Sequence, residues 1–141
     1  MATDSSFLRR RVDADALPLA VGDLVVILLF VYVGTINHDA VGFPPAGVDA
    51  VAYVVGVAVP FLVGWVVAAP LVGAYSAGAV ESAKASVPLA VRSWIPAAVI
   101  GLLIRATPWV DGGVAPTFAV VMLVVGSVCL GVWRYVAARF V

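Results

Sequence analysis

The chain has few charged side chains, a single cysteine and a single histidine. Only 11% of its 141 residues are charged, and the eight basic and eight acidic residues cancel. A balanced charge creates no field that attracts nucleic acid, so we expect no nucleic-acid partner. Cys129 has no second thiol with which to form a disulfide inside the chain.

Sequence patterns for cofactor binding and catalysis are also missing. One histidine cannot build a Cys/His metal cluster, and a haem in a helical bundle normally needs an axial histidine within a helix. The chain contains no glycine-rich phosphate loop, no Gly-x-Ser-x-Gly and no His-Glu-x-x-His. We therefore expect no metal, no cofactor and no enzymatic activity, and we assign no catalytic residue.

Apolar residues make up 64% of the chain, and the mean hydropathy is +1.15. Four apolar runs each have about the 20 residues that a helix needs to cross ~30 Å of hydrocarbon. The runs cover residues 17–34, 50–72, 88–106 and 116–137. We predict an all-α integral membrane bundle of four transmembrane helices. Residues 17–141 form its single domain, and residues 1–16 form a cytoplasmic N-terminal segment.

The positions of lysine and arginine predict the orientation of these helices. If the N-terminus is cytoplasmic, Arg105 alone lies on the outer side. The inner flanks then hold the other seven basic residues, Arg9, Arg10, Arg11, Lys84, Arg92, Arg134 and Arg139. This imbalance predicts a multi-pass protein of the cytoplasmic membrane with both termini inside.

Asp23 is an acidic residue inside the first apolar run, LAVGDLVVILLFVYV. Arg92 and Arg134 are predicted at a similar depth near the inner ends of the third and fourth helices, which gives an inner-leaflet charge layer of Asp23, Arg92 and Arg134. A lone carboxylate in hydrocarbon is costly and needs a partner, a proton or water. We expect Arg92 to be the partner, with Arg134 as the second choice.

Two functions follow from two interpretations of Asp23. As half of a buried ion pair, it suits a structural or accessory membrane protein of unknown role. As a titrating group, it suits a small dimeric transporter coupled to protons or cations, because four helices alone offer little room for a guarded cavity. Contact with lipid headgroups and a site shared across an oligomer are further interpretations. The expected partners are the lipid bilayer and either a second copy or another membrane protein.

A second polar cluster is predicted at the outer side. Its members are Asn37, His38, Asp39, Arg105 and Asp111. His38 titrates near neutral pH in its ordinary state, so a pH sensor or a substrate contact is one interpretation and an interfacial loop residue is the other.

Two prolines and a tryptophan lie deep in the second and third apolar runs. Pro60 and Pro96 each remove a helix hydrogen bond to the carbonyl four residues earlier, so either proline could form a hinge. Trp65 could line a cavity or pack against a neighbouring helix. The competing interpretation of the small residues around them is simple close packing of helices.

Four segments resemble a family of small prokaryotic membrane proteins. They are GDLVVILLFVYVGTINHD (22–39), PFLVGW (60–65), GLLIRATPW (101–109) and VWRYVAARF (132–140). The family is catalogued as domain of unknown function 3054. The resemblance implies a four-helix membrane protein whose biochemical role is not established. It assigns the family's motif to Asp23, His38, Pro60, Trp65, Arg105, Trp133 and Arg134.

Overall fold

The computed structural model describes residues 12–37, 47–110 and 114–140. Within these ranges it contains four long helices and two short 3-10 turns, Ala14–Ala16 and Ala77–Val80. The long helices are α1 (Leu17–Asn37), α2 (Val48–Val72), α3 (Ala83–Arg105) and α4 (Pro116–Phe140). Each is long and apolar enough to cross a membrane. This confirms the predicted all-α bundle with four candidate transmembrane helices.

The start of α3 differs from the sequence prediction. The Ser82 side chain accepts a hydrogen bond from the Ala85 N–H at 3.2 Å and caps the helix, so α3 begins at Ala83. The sequence predicted a start at Pro88, because proline is favoured in the first turn. Pro88 instead lies inside the helix. The cap adds more than one turn to α3 and changes the depth of every residue that follows.

Neighbouring helices run antiparallel, as their contacts show. Phe61 and Gly64 of α2 face Gly101 and Ala97 of α3, in reverse order along the chain. Val87 and Trp94 of α3 likewise face Gly131 and Gly126 of α4, and Gly22 near the start of α1 faces Trp133 near the end of α4. One end of the bundle therefore holds the start of α1, the end of α2, the start of α3 and the end of α4. We call it the terminal end. The most extensive packing joins α3 to α2 and to α4, whereas α1 packs more thinly on α2 and α4.

The centre of the bundle is a packed seam of small and aromatic residues. A Cβ at Gly64 would overlap the backbone carbonyl of Ala97, and a Cβ at Gly101 would overlap the Phe61 ring. Close approach of this kind is how membrane helices gain dispersion energy, since lipid is as apolar as leucine. Gly56 is different, because it is exposed and has no atom within 4 Å of its Cβ position.

The connection between α2 and α3 folds into the bundle. Gly73 ends α2 with a φ of +100°, a left-handed conformation that suits glycine. Ala74, Tyr75 and Ala79 after it are buried. The Tyr75 carbonyl also accepts a hydrogen bond from the Asp13 N–H at 2.7 Å, which joins the connection to the segment before α1. The small residues of this stretch allow that close packing, and part of it is helical, as the 3-10 turn Ala77–Val80.

Candidate functional site

The most polar part of the interior is an ion pair between α1 and α4. The Arg134 Nε donates to Asp23 Oδ1 at 2.9 Å, and Nη2 donates to Oδ2 at 2.7 Å. Both side chains are 0% exposed. Asp23 lies six residues into α1, about 9 Å along the helix. This two-pronged geometry is the strongest pairing that an arginine and a carboxylate can make.

Every N–H of the Arg134 guanidinium has an acceptor. Beyond the two bonds to Asp23, Nη1 and Nη2 each donate to the Ala74 carbonyl at 3.1 Å. Nη1 also donates to the Ser86 Oγ at 2.9 Å. An arginine has five N–H donors, and these bonds use all of them. A buried guanidinium without that set of acceptors would be strongly destabilising.

The carboxylate receives a third hydrogen bond from a tyrosine. The Tyr75 hydroxyl donates to Asp23 Oδ2 at 2.8 Å and accepts from the Trp65 Nε1–H at 2.6 Å. Burial, and next the negative charge of Asp23, raise the pKa of Tyr75 well above its ordinary value. Tyr75 is therefore a neutral hydrogen-bond donor over the whole physiological pH range.

We name this set the Asp23 network. Its members are Asp23, Trp65, the Ala74 carbonyl, Tyr75, Ser86 and Arg134. Together they connect all four helices and the α2–α3 connection at the terminal end. Both charges of the network are therefore paired and hydrogen-bonded inside the protein.

Local sequence explains how the network is assembled. Gly22 precedes Asp23, and a Cβ at this position would overlap the Trp133 ring. The absence of a side chain lets Trp133 pack on α1, and the next residue of each helix then forms the ion pair. On the opposite side, the left-handed turn at Gly73 carries the Ala74 carbonyl and Tyr75 into the interior.

The sequence-based choice of Arg92 as the partner of Asp23 is wrong. Arg92 lies on the exposed surface of α3, six residues beyond Ser86 and about two-thirds of a turn away around the helix. The earlier start of α3 also places Arg92 about 14 Å along the helix, whereas a start at Pro88 would place it only about 6 Å along. Arg134, the second choice, makes the pair.

Sequence reasoning missed Tyr75 and Ser86 entirely. The sequence pattern points to a charged partner for Asp23 and does not single out the hydroxyl groups of the α2–α3 connection. A usable signal exists, because a buried carboxylate or guanidinium needs several hydrogen-bond partners and a single opposite charge cannot supply all of them. Tyr75 is the one aromatic residue in the stretch GAYSAGAVESAKAS, 73–86.

Most of the predicted outer cluster lies outside the described residues. His38, Asp39 and Asp111 fall in the undescribed ranges, and α1 ends at Asn37, whose side chain is likewise not described. Arg105 is buried at the end of α3, with its guanidinium 4.6 Å from the centre of the Phe118 ring. This contact is a cation–π interaction that joins α3 to α4.

The predicted hinge or lining residues lie within continuous helices. α2 runs unbroken through Pro60, and α3 runs unbroken through Pro96. Pro60 is buried, whereas Pro96 is half-buried. Trp65 is buried and hydrogen-bonded to Tyr75, and its ring centre lies 6.4 Å from that of Trp94. Trp65 therefore packs within the bundle.

A cavity of about 170 Å³ opens at the terminal end. Ser86 reaches it from the Asp23 network, and Asp15 lines it from the segment before α1. The remaining lining is apolar and comes from α1, α4 and the 3-10 turn Ala77–Val80. The volume suffices for a few water molecules, each of which occupies about 30 Å³ in the liquid. Among the described residues, no group of three His, Cys, Asp or Glu side chains could hold a metal ion.

Comparison with known proteins places the chain in a family. No curated protein and no solved structure matches it. Residues 20–137 match the family described as "Protein of unknown function (DUF3054)". The match begins in α1 and ends in α4, so it includes Asp23, Arg134 and the whole α2–α3 connection. Since it covers most of the chain and confirms the resemblance in the sequence, this small multi-pass membrane protein belongs to the DUF3054 family.

Proposed function

We propose that this protein is a structural or accessory component of the membrane, and that the Asp23 network locks its four helices together. The observation that supports this is the complete pairing of Asp23, whose carboxylate accepts three hydrogen bonds while 0% exposed. A proton-coupling carboxylate must exchange its proton with water during each cycle. Three donors and complete burial oppose that exchange.

The proposal includes the absence of enzymatic activity. A catalytic acid or base must come within hydrogen-bond reach of the substrate proton that it transfers. Asp23 accepts three hydrogen bonds from protein donors, every Arg134 guanidinium N–H is paired, and Tyr75 is held neutral between Trp65 and Asp23. The large apolar residues that face outward from the four helices are mostly Val and Leu, which suits contact with lipid. Lipid and either a second copy or another membrane protein are the expected partners.

The proposed location is the cytoplasmic membrane, with the terminal end inside. Arg134, Lys84 and Arg139 all lie near this end, and positive charge favours the cytoplasmic side. Fusion of a fluorescent protein or of alkaline phosphatase to the C-terminus tests the orientation. We expect fluorescence without phosphatase activity. Phosphatase activity without fluorescence would show that the terminal end lies on the outer side of the membrane.

A small dimeric transporter coupled to protons or cations through Asp23 is the second candidate. The cavity favours it, because water within the cavity could reach Ser86, which accepts from the same guanidinium that holds Asp23. A transport cycle would require Arg134 to release Asp23. The two candidates therefore differ in whether the ion pair is permanent.

A double-mutant cycle on the purified protein in detergent measures the ion pair directly. Asp23→Asn and Arg134→Gln should each lower the unfolding free energy by about 3–5 kcal/mol, because each leaves a buried group unpaired. The double variant should lose much less than the sum of the two single losses. Arg92→Gln is the matched control, because Arg92 is exposed, and it should show no coupling to Asp23→Asn.

Infrared spectroscopy then separates a permanent pair from a titrating one. A carboxylic acid band that changes with pH and is absent in Asp23→Asn would indicate that Asp23 takes up protons. We expect no such band between pH 5 and 8. Weak coupling in the cycle together with a titrating band would refute the structural proposal and favour transport.

A further inference from the structure

Arg92 is a cation on the exposed surface of the helical bundle, away from its core. It belongs to the exposed face of α3, which we define as Pro88, Arg92, Ile95, Val99 and Leu103. Within the described ranges, Arg92 has neither an ion-pair nor a hydrogen-bond partner. A charge inside a membrane span is costly unless it meets water, an opposite charge or a lipid headgroup.

The direction of the helix brings the guanidinium towards the membrane surface. Arg92 lies nine residues after Ala83, about 14 Å along α3. Side chains on a helix lean towards its N-terminus, which for α3 is at the terminal end. A long arginine side chain can therefore snorkel, with its apolar stem along the helix and its charge near the headgroups.

A second cation lies on the way to that surface. Lys84 is exposed, two helical turns before Arg92 and about 12 Å closer to the terminal end. α3 contains no acidic residue, and the nearest one in the sequence, Glu81, is exposed in the connection that precedes the helix. The half of this surface nearer the terminal end is therefore positively charged. A ligand that matches it in charge would be an anion.

The remainder of the exposed face of α3 is apolar. Ile95 is 49%, Val99 42% and Leu103 64% exposed. The distance along the helix from Arg92 to Leu103 is about 16 Å, about half of the ~30 Å hydrocarbon core. The surface thus repeats the order of one lipid leaflet, with charge near the membrane surface and hydrocarbon beneath it.

We propose that the exposed face of α3 binds an anionic phospholipid from the leaflet at the terminal end. The lipid phosphate accepts hydrogen bonds from the Arg92 guanidinium, whose planar fork matches phosphate oxygens. Lys84 attracts the headgroup from the rim, and the acyl chains lie along Ile95, Val99 and Leu103. This site is separate from the Asp23 network and does not depend on the proposed structural role.

Native mass spectrometry of the protein from mixed micelles tests the proposal. The micelles contain equal amounts of phosphatidylglycerol and phosphatidylcholine, and the measurement is the ratio of the two lipids retained. The wild type should prefer phosphatidylglycerol, and Arg92→Gln should reduce that preference about fivefold. Lys84→Gln should reduce it less, and Arg92→Lys should retain most of it. Inorganic phosphate at the concentration of the lipid should not compete.

Arg139→Gln is the matched control, because it removes one exposed positive charge at the terminal end and leaves α3 unchanged. The lipid preference should survive this change. An equal fall in Arg139→Gln, or an unchanged preference in Arg92→Gln, would overturn the proposal. Loss of a dimer in Arg92→Gln without a change in lipid ratio would also overturn it, since the surface would then be a protein interface. Circular dichroism and size-exclusion chromatography confirm that each variant is folded.

Discussion

The terminal end and the central seam hold the same four helices together by opposite means. At the terminal end, Asp23 and Arg134 are buried and joined by hydrogen bonds that leave no guanidinium N–H unpaired. In the seam, Gly64 and Gly101 let α2 and α3 approach until backbone and ring atoms touch. The terminal end depends on a hydrogen-bond partner for each buried charged group. The seam depends on how closely the shapes of its residues fit together.

The difference follows from how well each helix packs. α3 is held by extensive contacts with α2 and α4, so close packing alone can fix its position. α1 has thinner contacts, and it is the helix that supplies Asp23. A buried ion pair adds little net stability compared with apolar packing, but it penalises every arrangement in which the charges separate. We therefore expect the network to specify where α1 docks.

The largest effect is expected when only one charge of the network is removed. Arg134→Leu should lower the unfolding free energy by about 3–5 kcal/mol, because Asp23 is left buried without a counter-charge. Asp23→Leu combined with Arg134→Leu should recover most of that loss, since it converts the terminal end into apolar packing like that of the seam. Unfolding of both variants in a detergent titration gives the two values. A double variant as unstable as Arg134→Leu would mean that the network does more than avoid an unpaired charge.

The stability of the seam should depend on the size of its side chains and not on their polarity. Gly64→Ala should lower the unfolding free energy by about 2–3 kcal/mol, because the added methyl group would overlap the backbone carbonyl of Ala97. Gly56→Ala is the matched control on the same helix, where the surface is open. It should be neutral or stabilising by up to about 1 kcal/mol, since alanine is the better helix former. Similar losses at both sites would contradict the difference in packing.

Removal of the tyrosine hydroxyl should weaken the network without breaking the ion pair. Tyr75→Phe should cost about 1–2 kcal/mol, because Trp65 loses its acceptor and Asp23 loses one of three donors. The measurement is again the unfolding free energy at neutral pH. A loss as large as that of Arg134→Leu would show that Tyr75, and not the ion pair, dominates the terminal end.

Tyr75 also predicts how the stability of the protein depends on pH. The folded-state pKa of Tyr75 is raised, so its contribution is fully present below the unfolded-state pKa of about 10 and is lost as the pH rises above that value. Wild-type stability should therefore fall more steeply than that of Tyr75→Phe above about pH 10. Parallel curves for the two proteins would contradict a buried, neutral tyrosine.

The smallest effect is expected one turn beyond the network on α4. Arg139 is exposed, and its guanidinium lies 5.4 Å from the centre of the Tyr135 ring. Arg139→Gln should change the unfolding free energy by no more than about 0.5 kcal/mol, because exposed charges are already solvated. The contrast with Arg134, five residues earlier, isolates the effect of burial. A loss of several kcal/mol at Arg139 would mean that the charge itself matters wherever it lies.

Much of the fold could be predicted because membrane insertion is governed by local composition. Runs of about 20 apolar residues identified all four helices, and the predicted starts at 17 and 116 agree with Leu17 and Pro116. The start of α3 was wrong because a serine cap outweighed the proline signal. The candidate site was less predictable. Depth along a helix can be counted from sequence, but the direction in which a side chain faces depends on neighbours that the count does not include.

By itself, the sequence determined that this chain inserts in a membrane as four helices and that Asp23 requires compensation within them. Those properties follow from hydrophobicity and from the cost of a charge in hydrocarbon, which act on each segment alone. Only the tertiary structure decided that Arg134 compensates Asp23 and that Tyr75 and Ser86 complete the network. The same structure leaves Arg92 on the outer surface. The physical reason is that hydrogen bonds need distances near 3 Å, and only packed helices bring residues so far apart in the chain to that distance.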